Sequence, residues 1–464
     1  MSNTKAVYAP FDGRHIADVP MVDAEQAETM LQEAYELSRD RDRWLSTDKR
    51  VDILRRAEQI MQGQVEELTR LMAEEGGKPY KDSKVEALRA IDCVRVAIET
   101  LRTSGGEEIP MGGTNRALNR LAFTQHEPIG VVMAISAFNH PFNLIAHQVA
   151  PAVAVGCPVI VKPASSTPRS CFKFVEILRE AGLPEEWCRV AVCNNQVAQA
   201  LATDKRTSFL TFIGSARVGW MLKSKLAPGT RCALEHGGVA PVIMEADADI
   251  EDALPLLAVG GMYHAGQVCV SVQRLYVHND ICERVAGSLV EIVNNMKVGD
   301  PLDPDTDVGP LITTADVDRV HEWVHDAVAK GGKLLCGGEK ISDTCYAPTI
   351  VLNPPDDCTL STDEVFGPVI CIYGYDDRRQ AIDRANALDV EFQASVFTKN
   401  LDIALDTSRR LNAAAVMIND HTAFRVDWMP FAGHNVSGYG TGGIPYTMED
   451  MQKKKMTVIR SKMI

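Results

Sequence analysis

Cys269 and Glu235 carry the strongest chemical signal in this chain of 464 residues. Cys269 ends the tetrapeptide Gly-Gln-Val-Cys, and Glu235 lies in the pentapeptide Leu-Glu-His-Gly-Gly. A thiolate can attack a carbonyl carbon to form a covalent intermediate, and a nearby carboxylate can activate the water that cleaves it. Most cysteines are small buried hydrophobic residues and most glutamates are solvated, so neither residue decides the matter alone. The surrounding sequence must support the pair.

The segments around these residues alternate between short apolar strands and helices. Buried-type strands are predicted at 129–135, 158–163 and 210–215, and the alternation resumes with strands at 240–244 and 275–277. Strands that alternate with helices indicate parallel α/β sheets, whose ligands bind beyond the carboxyl ends of the strands. We therefore expect two α/β lobes, with a cofactor at the turns that follow the first set of strands.

Other segments frame these lobes. Helical periodicity covers 24–75 and 80–101, and a stretch with strand character at 118–124 reads as an excursion from the main body. The short strand predicted at 456–459 lacks a local partner. We expect it to pair with the excursion or with another subunit.

Composition limits the function classes. A chain of this length exceeds one hydrophobic core, and its 48 Lys plus Arg against 62 Asp plus Glu give a net charge of −14. This charge disfavours nucleic acid and an anionic membrane as partners. The chain starts without a signal-peptide pattern and contains no long apolar run, which predicts a cytoplasmic protein. Its 12 cysteines show no Cys-x-x-Cys spacing, so we expect neither disulfides nor a metal site.

Two features suggest contacts to a phosphate-bearing cofactor. Gly214 and Ser215 lie at a strand-to-helix turn, where backbone N–H groups and the helix dipole can hold a phosphate. Lys162 ends a buried-type strand and could reach ribose hydroxyls or phosphate. A tight turn and a lysine that reaches water are the simpler structural alternatives.

Seven stretches, in the expected order from about Ala24 to the C-terminus, together resemble the aldehyde dehydrogenase superfamily. Chance could supply one of them but hardly all seven. The stretches are Phe138-Asn139-His140-Pro141, Val161-Lys162-Pro163-Ala164-Ser165, Phe212-Ile213-Gly214-Ser215, Leu234-Glu235-His236-Gly237-Gly238, Gly266-Gln267-Val268-Cys269, Glu364-Val365-Phe366-Gly367-Pro368 and Pro430-Phe431-Ala432-Gly433.

The resemblance implies oxidation of an aldehyde to an acid with hydride transfer to NAD or NADP. Cys269 matches the nucleophile, and the amide of Asn139 with the backbone N–H of Cys269 matches the oxyanion hole. Glu235 matches the base that activates water to cleave the thioester.

The resemblance also implies a domain organisation. Residues 1–104 and 129–237 would form a Rossmann-like dinucleotide-binding domain, and residues 238–437 a second, catalytic α/β domain. Residues 105–128 and 438–464 would form a small β excursion that joins subunits into a homodimer or homotetramer.

The implied cofactor contacts are distributed over two regions. Glu364 matches the residue that holds the nicotinamide ribose, and Phe366 the one that packs near the ring. Lys162 and Ser215 match adenosine-ribose and pyrophosphate contacts. Without the family pattern, Glu364 would read as a helix N-terminal acid and Phe366 as a core aromatic.

Three positions depart from the family pattern. Ser165 stands where many NAD-preferring members have Glu, which repels a 2′-phosphate, so NADP becomes possible. His236 replaces the Leu of Glu-Leu-Gly-Gly, which we expect to alter packing more than chemistry. Ala432 replaces a Gly, with little mechanistic weight.

The expected substrate side is polar. Arg425, His140 and His147 occupy positions that are often aromatic in relatives, and Phe431 completes the expected substrate contacts. A guanidinium suits a short aldehyde that carries a carboxylate, phosphonate or sulfonate. This region resembles the same region of lactaldehyde, succinate-semialdehyde and phosphonoacetaldehyde dehydrogenases. It matches none of the three closely enough to choose between them. The alternative is a structural Arg425 that pairs with Asp427 or with an acid of another subunit.

Two other functions compete with a hydrolytic dehydrogenase. A relative that passes the thioester to CoA would generally lack the base, which Glu235 supplies here. A non-catalytic descendant that uses the fold for binding or structure would need none of these chemical groups. Both alternatives are therefore disfavoured.

Overall fold

The computed structural model describes residues 3–464 and contains a six-stranded sheet whose central strands are parallel. Only its first strand runs antiparallel to its neighbour. In spatial order the strands are Gly438–Tyr439, Arg231–Glu235, Thr207–Ile213, Val131–Ile135, Val159–Lys162 and Cys188–Val190.

A second sheet of seven strands is parallel except at one edge. Its strands, in spatial order, are Lys333–Cys336, Thr349–Leu352, Val369–Tyr375, Arg274–His278, Pro241–Met244, Gln393–Phe397 and Ala415–Ile418. The α/β class with two parallel-sheet lobes is thus confirmed. The domain boundaries given above stay a prediction.

Helices cover both sheets, which is why strands such as Val131–Ile135 are buried along their whole length and uniformly apolar. None of the helices in the described part of the chain is long and apolar enough to cross a membrane. The α-helices are Ala24–Arg39, Thr47–Gly63, Val65–Gly76, Tyr80–Thr103, Asn143–Val155, Pro168–Glu180, Asn195–Thr203, Ala216–Lys223, Ile250–Met262, Asn279–Asn294, Thr314–Ala329, Thr359–Thr362, Arg378–Ala385, Leu401–Arg410 and Ile444–Asp450. Three short 3-10 helices cover Arg41–Arg43, Glu185–Trp187 and Tyr263–Gly266.

The long helical pattern at 24–75 divides into three helices. The first begins with a capping box at Asp23 and ends at Arg39, and the side chain of the next residue, Asp40, accepts the N–H of Asp42. A second break falls at Gln64, directly after Gly63. Polar and glycine residues therefore divide a periodic segment that apolar spacing alone presents as continuous.

The tail strand finds its partner within the chain. Gln452–Arg460 pairs antiparallel with Arg120–Pro128, which also pairs with Glu108–Ile109. Of the two partners expected for this strand, the excursion is the one observed. Two further antiparallel pairs were not anticipated from the sequence: Thr4–Tyr8 with His15–Pro20, and Val390–Glu391 with His434–Asn435.

Candidate active site

A cavity of about 970 Å³ opens at the carboxyl end of the six-stranded sheet. This is where an open parallel sheet places its ligands. Most of the predicted site residues line it, from Asn139 near the first central strand to the loop that carries Cys269. The predicted residues in its lining are Asn139, His140, Lys162, Gly214, Ser215, Glu235, Cys269, Glu364, Phe366, Arg425 and Phe431.

Two predicted residues lie outside this lining. Ser165 is exposed in the turn after Ala164. Ala164 borders the cavity, and Ser165 does not. His147 is buried and borders a separate cavity of about 30 Å³, which also touches Glu235 and Arg425. Such a space has room for one or two water molecules.

An unusual turn positions Cys269. His264, Ala265 and Gly266 have φ angles of 49°, 53° and 70°, a left-handed run that L-residues rarely adopt. A methyl group on Gly266 would lie 2.0 Å from the carbonyl oxygen of Gly367, so only glycine permits this approach. The loop that carries the cysteine is therefore fixed against the segment next to Phe366.

Asn139 is tied to the same loop. It is buried, and its Nδ2 donates to the carbonyl oxygen of Gln267 at 2.9 Å. The Gln267 side chain donates to the carbonyls of His264 and Pro310 and accepts from the N–H of Ile312. Sequence reasoning gave Gln267 no role, although it lies in the cysteine motif. It holds the backbone on which both Asn139 and Cys269 depend.

The thiol and the carboxyl both retain protons more strongly than usual. Burial raises the pKa of Cys269 well above its ordinary value, the charges of Glu235 and Glu364 raise it further, and Arg425 opposes the shift. Burial also raises the pKa of Glu235, against the attraction of Arg425 and Arg89. Both groups therefore hold their protons to a higher pH than the same groups in water, and Arg425 opposes this in each case.

Glu364 is an unsatisfied carboxyl on the cofactor side. Its Oε1 is buried and has no hydrogen-bond partner among the described residues, and burial raises the pKa of Glu364 to about 8. A methyl group on Gly237 would lie 2.1 Å from this carboxylate, which explains the glycine at that position. Such an orphaned acceptor fits a ligand hydroxyl.

Other predicted cofactor residues are also free to bind. Lys162 makes a hydrogen bond only to the Pro163 carbonyl, at 3.3 Å, within the described residues. Phe366 adopts a φ of 44°, which is rare for a bulky residue, and its ring packs edge-on against Phe138 at 5.8 Å. Phe366 is partly buried and borders the cavity, and its place beside the nicotinamide ring stays a prediction.

His236 contacts the turn at Gly214. Its Nδ1 lies 2.8 Å from the Gly214 carbonyl oxygen, and its ring packs near Phe212 and Trp220. A methyl group on Gly219 would lie 2.0 Å from the ring. His236 thus packs against two aromatic rings and lies within hydrogen-bonding distance of the turn, and its effect relative to Leu stays a prediction.

Arg425 does not pair with Asp427. Its guanidinium lies 3.5 Å from the centre of the Phe431 ring, its Nε is buried without a partner, and no ion pair involves it within residues 3–464. Asp427 instead binds Arg89, at 2.6 and 3.2 Å, and His147, at 2.7 Å. The structural alternative of an Arg425–Asp427 pair is therefore wrong for this chain.

Arg89 is a cavity residue that sequence reasoning missed. It lies on the helix Tyr80–Thr103, and Asp427 binds only two of its three nitrogens. Burial raises the pKa of Asp427, but His147 and Arg89 overcome this and hold it below its usual range. Burial and the charge of Arg425 lower the pKa of His147 to about 4. The arginines, not the histidines, thus supply positive charge here.

One buried group has the spacing of metal ligands. Cys93, His147 and Asp427 place their ligand atoms within 4.8 Å of one another. Both carboxylate oxygens of Asp427 already accept bonds from Arg89. Asp427 therefore holds Arg89 in place, while the Cys93 thiol donates to Asn143 Oδ1 at 3.2 Å.

Comparison with known proteins identifies the family to which these site residues belong. The model of the aldehyde dehydrogenase family matches residues 1–457. The chain belongs to the aldehyde dehydrogenase family. It is an NAD(P)-dependent aldehyde dehydrogenase, as the resemblance implied.

Three relatives illustrate the range of the match. A 3-sulfolactaldehyde dehydrogenase of Priestia aryabhattai is 36% identical over 89% of this chain and 86% of its own. The structure of aldehyde dehydrogenase 21 from Physcomitrella patens, in complex with the reaction product succinate, has a TM-score of 0.95 at 33% identity and covers 98% and 95% of the two chains. That of glyceraldehyde-3-phosphate dehydrogenase from Methanocaldococcus jannaschii, complexed with NADP, has a TM-score of 0.93 at 33% identity and covers 98% and 99%.

Proposed function

We propose that this aldehyde dehydrogenase oxidises a short aldehyde that bears an anionic group, and that water releases the acid. The unpaired guanidinium of Arg425 in the cavity lining carries the proposal. A partly buried guanidinium that makes no ion pair is stabilised when a ligand supplies the opposite charge. The names or bound molecules of the three relatives each include an anionic group. It is a sulfonate in the first relative, a carboxylate in the second and a phosphate in the third.

Cys269 would start the reaction. Its thiolate attacks the aldehyde carbon to form a thiohemiacetal, while the free N–H of the Asn139 amide and the Cys269 backbone N–H donate to the developing oxyanion. The bond from Asn139 to the Gln267 carbonyl, at 2.9 Å, leaves its second amide N–H for this purpose. The thiol proton would leave to solvent, so Glu235 stays unprotonated for the second half of the reaction.

Glu235 would complete the reaction. NAD(P), when bound, supplies the acceptor for the hydride that leaves the thiohemiacetal carbon. Lys162, Ser215 and Glu364 would hold its ribose and phosphate groups, which suits the unsatisfied Glu364 oxygen. Glu235 then takes a proton from water, which attacks the thioester and releases the acid. Because Glu235 lines the cavity, water rather than CoA is favoured as the acceptor of the acyl group.

Arg425→Ala tests the substrate class. We expect it to lower kcat/KM for short acidic aldehydes about tenfold to a hundredfold, through KM, because a charge-assisted bond is lost. Propanal, which has no charge to bind, should lose only what the further rise in the pKa of Cys269 and Glu235 causes, so its kcat/KM should fall clearly less than that of the acidic aldehydes. Arg425→Lys keeps the charge and should recover part of the loss. Equal losses of kcat/KM for the acidic aldehydes and for propanal would contradict a role of Arg425 in binding an anionic group. The substrate would then be assigned only as a small aldehyde.

Ser165 gives a prediction about the cofactor. Because no carboxylate stands at this exposed position, we expect kcat/KM with NADP to be at least comparable to that with NAD. Ser165→Glu should then weaken NADP selectively through repulsion of the 2′-phosphate. Initial rates with both cofactors measure this, and a preference for NAD beyond about a hundredfold in the wild type would contradict it.

We expect a homodimer or homotetramer, in the cytoplasm. The strand Gln452–Arg460 lies at the edge of its sheet and exposes Met456, Val458 and Ile459, so an apolar edge is left for another subunit. Sedimentation velocity should give at least twice the monomer mass. A stable, active monomer would exclude this assembly.

A further inference from the structure

A short segment at the end of a helix contacts both loops that carry the proposed machinery. We call residues 136–142 the oxyanion loop and residues 163–167 the cofactor loop. A methyl group on Gly76 would lie 3.8 Å from Pro141 in the first loop and 3.8 Å from Thr167 in the second. The segment 75–78 therefore lies between the two loops and packs against each.

Glu86 and Lys78 fix the end of the oxyanion loop. Both side chains are completely buried, and they form an ion pair. The Oε1 of Glu86 accepts the N–H groups of Phe142, at 2.9 Å, and Asn143, at 3.0 Å, where the helix Asn143–Val155 begins. The residue that precedes this helix makes no side-chain cap of its own. Glu86 thus supplies the cap from a distant helix, a few residues beyond Asn139.

Glu75 repeats this arrangement at the cofactor loop. It is completely buried and accepts the N–H groups of Arg169, at 2.8 Å, and Ser170, at 2.7 Å, at the start of the helix Pro168–Glu180. This helix also lacks a cap from its preceding residue. Burial raises the pKa of Glu75 to about 7, and the bonds from Ser170 and Arg169 favour the carboxylate.

We propose that Glu86, with Lys78, is a positioning residue for Asn139, and that Glu75 is a positioning residue for the cofactor loop. The proposal rests on the function proposed above for these loops. A carboxylate that binds two N–H groups at a helix N-terminus fixes the backbone there, because the bonds are charge-assisted and aligned with the helix dipole. A displacement of about 1 Å in a catalytic group can lower a rate about a hundredfold.

The two glutamates are expected to act on different kinetic constants. Loss of the Glu86 acceptor should lower kcat/KM for the aldehyde and leave cofactor affinity unchanged. Loss of the Glu75 acceptor should weaken the cofactor and leave kcat at saturating cofactor unchanged. A general loss of folding would lower the apparent kcat through the active fraction, so all rates are expressed per site that binds NADPH.

A matched pair of double variants tests Glu86. Lys78→Met with Glu86→Gln and Lys78→Met with Glu86→Leu both remove the buried charges, and only the Gln variant keeps an oxygen for the two N–H groups. We expect kcat/KM within about threefold of the wild type for the Gln pair and about tenfold to a hundredfold lower for the Leu pair, with the NADP dissociation constant unchanged. Equal activities in the two pairs would overturn the role of Glu86.

The same pair combined with Asn139→Ala shows where Glu86 acts. If Glu86 works through Asn139, the Leu pair should add no further loss once the amide is gone. Losses that multiply would show that Glu86 acts elsewhere, and the proposal would be wrong. Full activity of Asn139→Ala alone would instead refute the oxyanion role itself, so the two failures are distinct.

Glu75→Gln and Glu75→Leu test the second half. Fluorescence titration with NADPH should give a dissociation constant about tenfold higher for the Leu variant and a smaller increase for Gln, which keeps one acceptor oxygen. The kcat at saturating NADP should stay within about threefold of the wild type in both. An unchanged dissociation constant, or a fall confined to kcat, would overturn the role of Glu75.

Discussion

Cys269→Ala is expected to lower kcat for aldehyde oxidation by at least about 10⁴-fold, because no other cysteine of residues 3–464 lines the cavity. Affinity for NADP should stay within about twofold of the wild type, since the proposed ribose and phosphate contacts lie on Lys162, Ser215 and Glu364. Steady-state rates and fluorescence titration with NADPH measure the two effects separately.

The matched control is Cys336→Ala. Of the 12 cysteines, only Cys269 and Cys336 are partly exposed, and Cys336 does not line the cavity. Its replacement should leave kcat unchanged, and iodoacetamide should still inactivate that variant. Near-normal turnover of Cys269→Ala would assign the nucleophile to another cysteine and refute the proposed mechanism.

The sheets could be predicted because their strands are buried on both faces. Segments such as Val131–Ile135 and Val159–Lys162 are uniformly apolar, and the turns that follow them carry residues of distinctive chemistry. The seven family stretches then predicted which turns meet, and most of the predicted residues do line one cavity. The hairpin Thr4–Tyr8 with His15–Pro20 was missed, because its strands are only partly buried and carry no continuous apolar run.

Long-range pairing of charges could not be predicted from local patterns. Arg425 and Asp427 are close in sequence, which made their pairing the natural alternative, yet Asp427 binds Arg89 from a helix 338 residues earlier. Glu75 and Glu86 belong to a residue type that is mostly solvated, and nothing in their periodicity shows that both are completely buried. Such residues become visible only when the tertiary structure supplies their partners.

Glu235→Gln is expected to separate the two halves of the reaction. The variant should release about one equivalent of reduced cofactor per active site in a fast burst and then turn over at least about a hundredfold more slowly, because a general base contributes about 10²–10⁴-fold. Stopped-flow absorbance of the reduced cofactor measures both phases. Hydroxylamine, which attacks thioesters without a base, should restore turnover if the accumulated species is the Cys269 thioester.

The pH profile gives an independent check on Glu235. Burial raises the pKa of this carboxyl, so it stays protonated up to a higher pH than an ordinary glutamate and cannot take a proton from water there. The steady-state kcat of the wild type should therefore fall on the acid side at a pH above about 4.3, the ordinary glutamate value. This acid limb should be absent from the residual turnover of Glu235→Gln, which has no group to protonate. If Glu235→Gln keeps the pH profile of the wild type and shows no burst, Glu235 has no role in the hydrolytic step. Faster turnover on addition of CoA would then favour transfer of the acyl group to CoA.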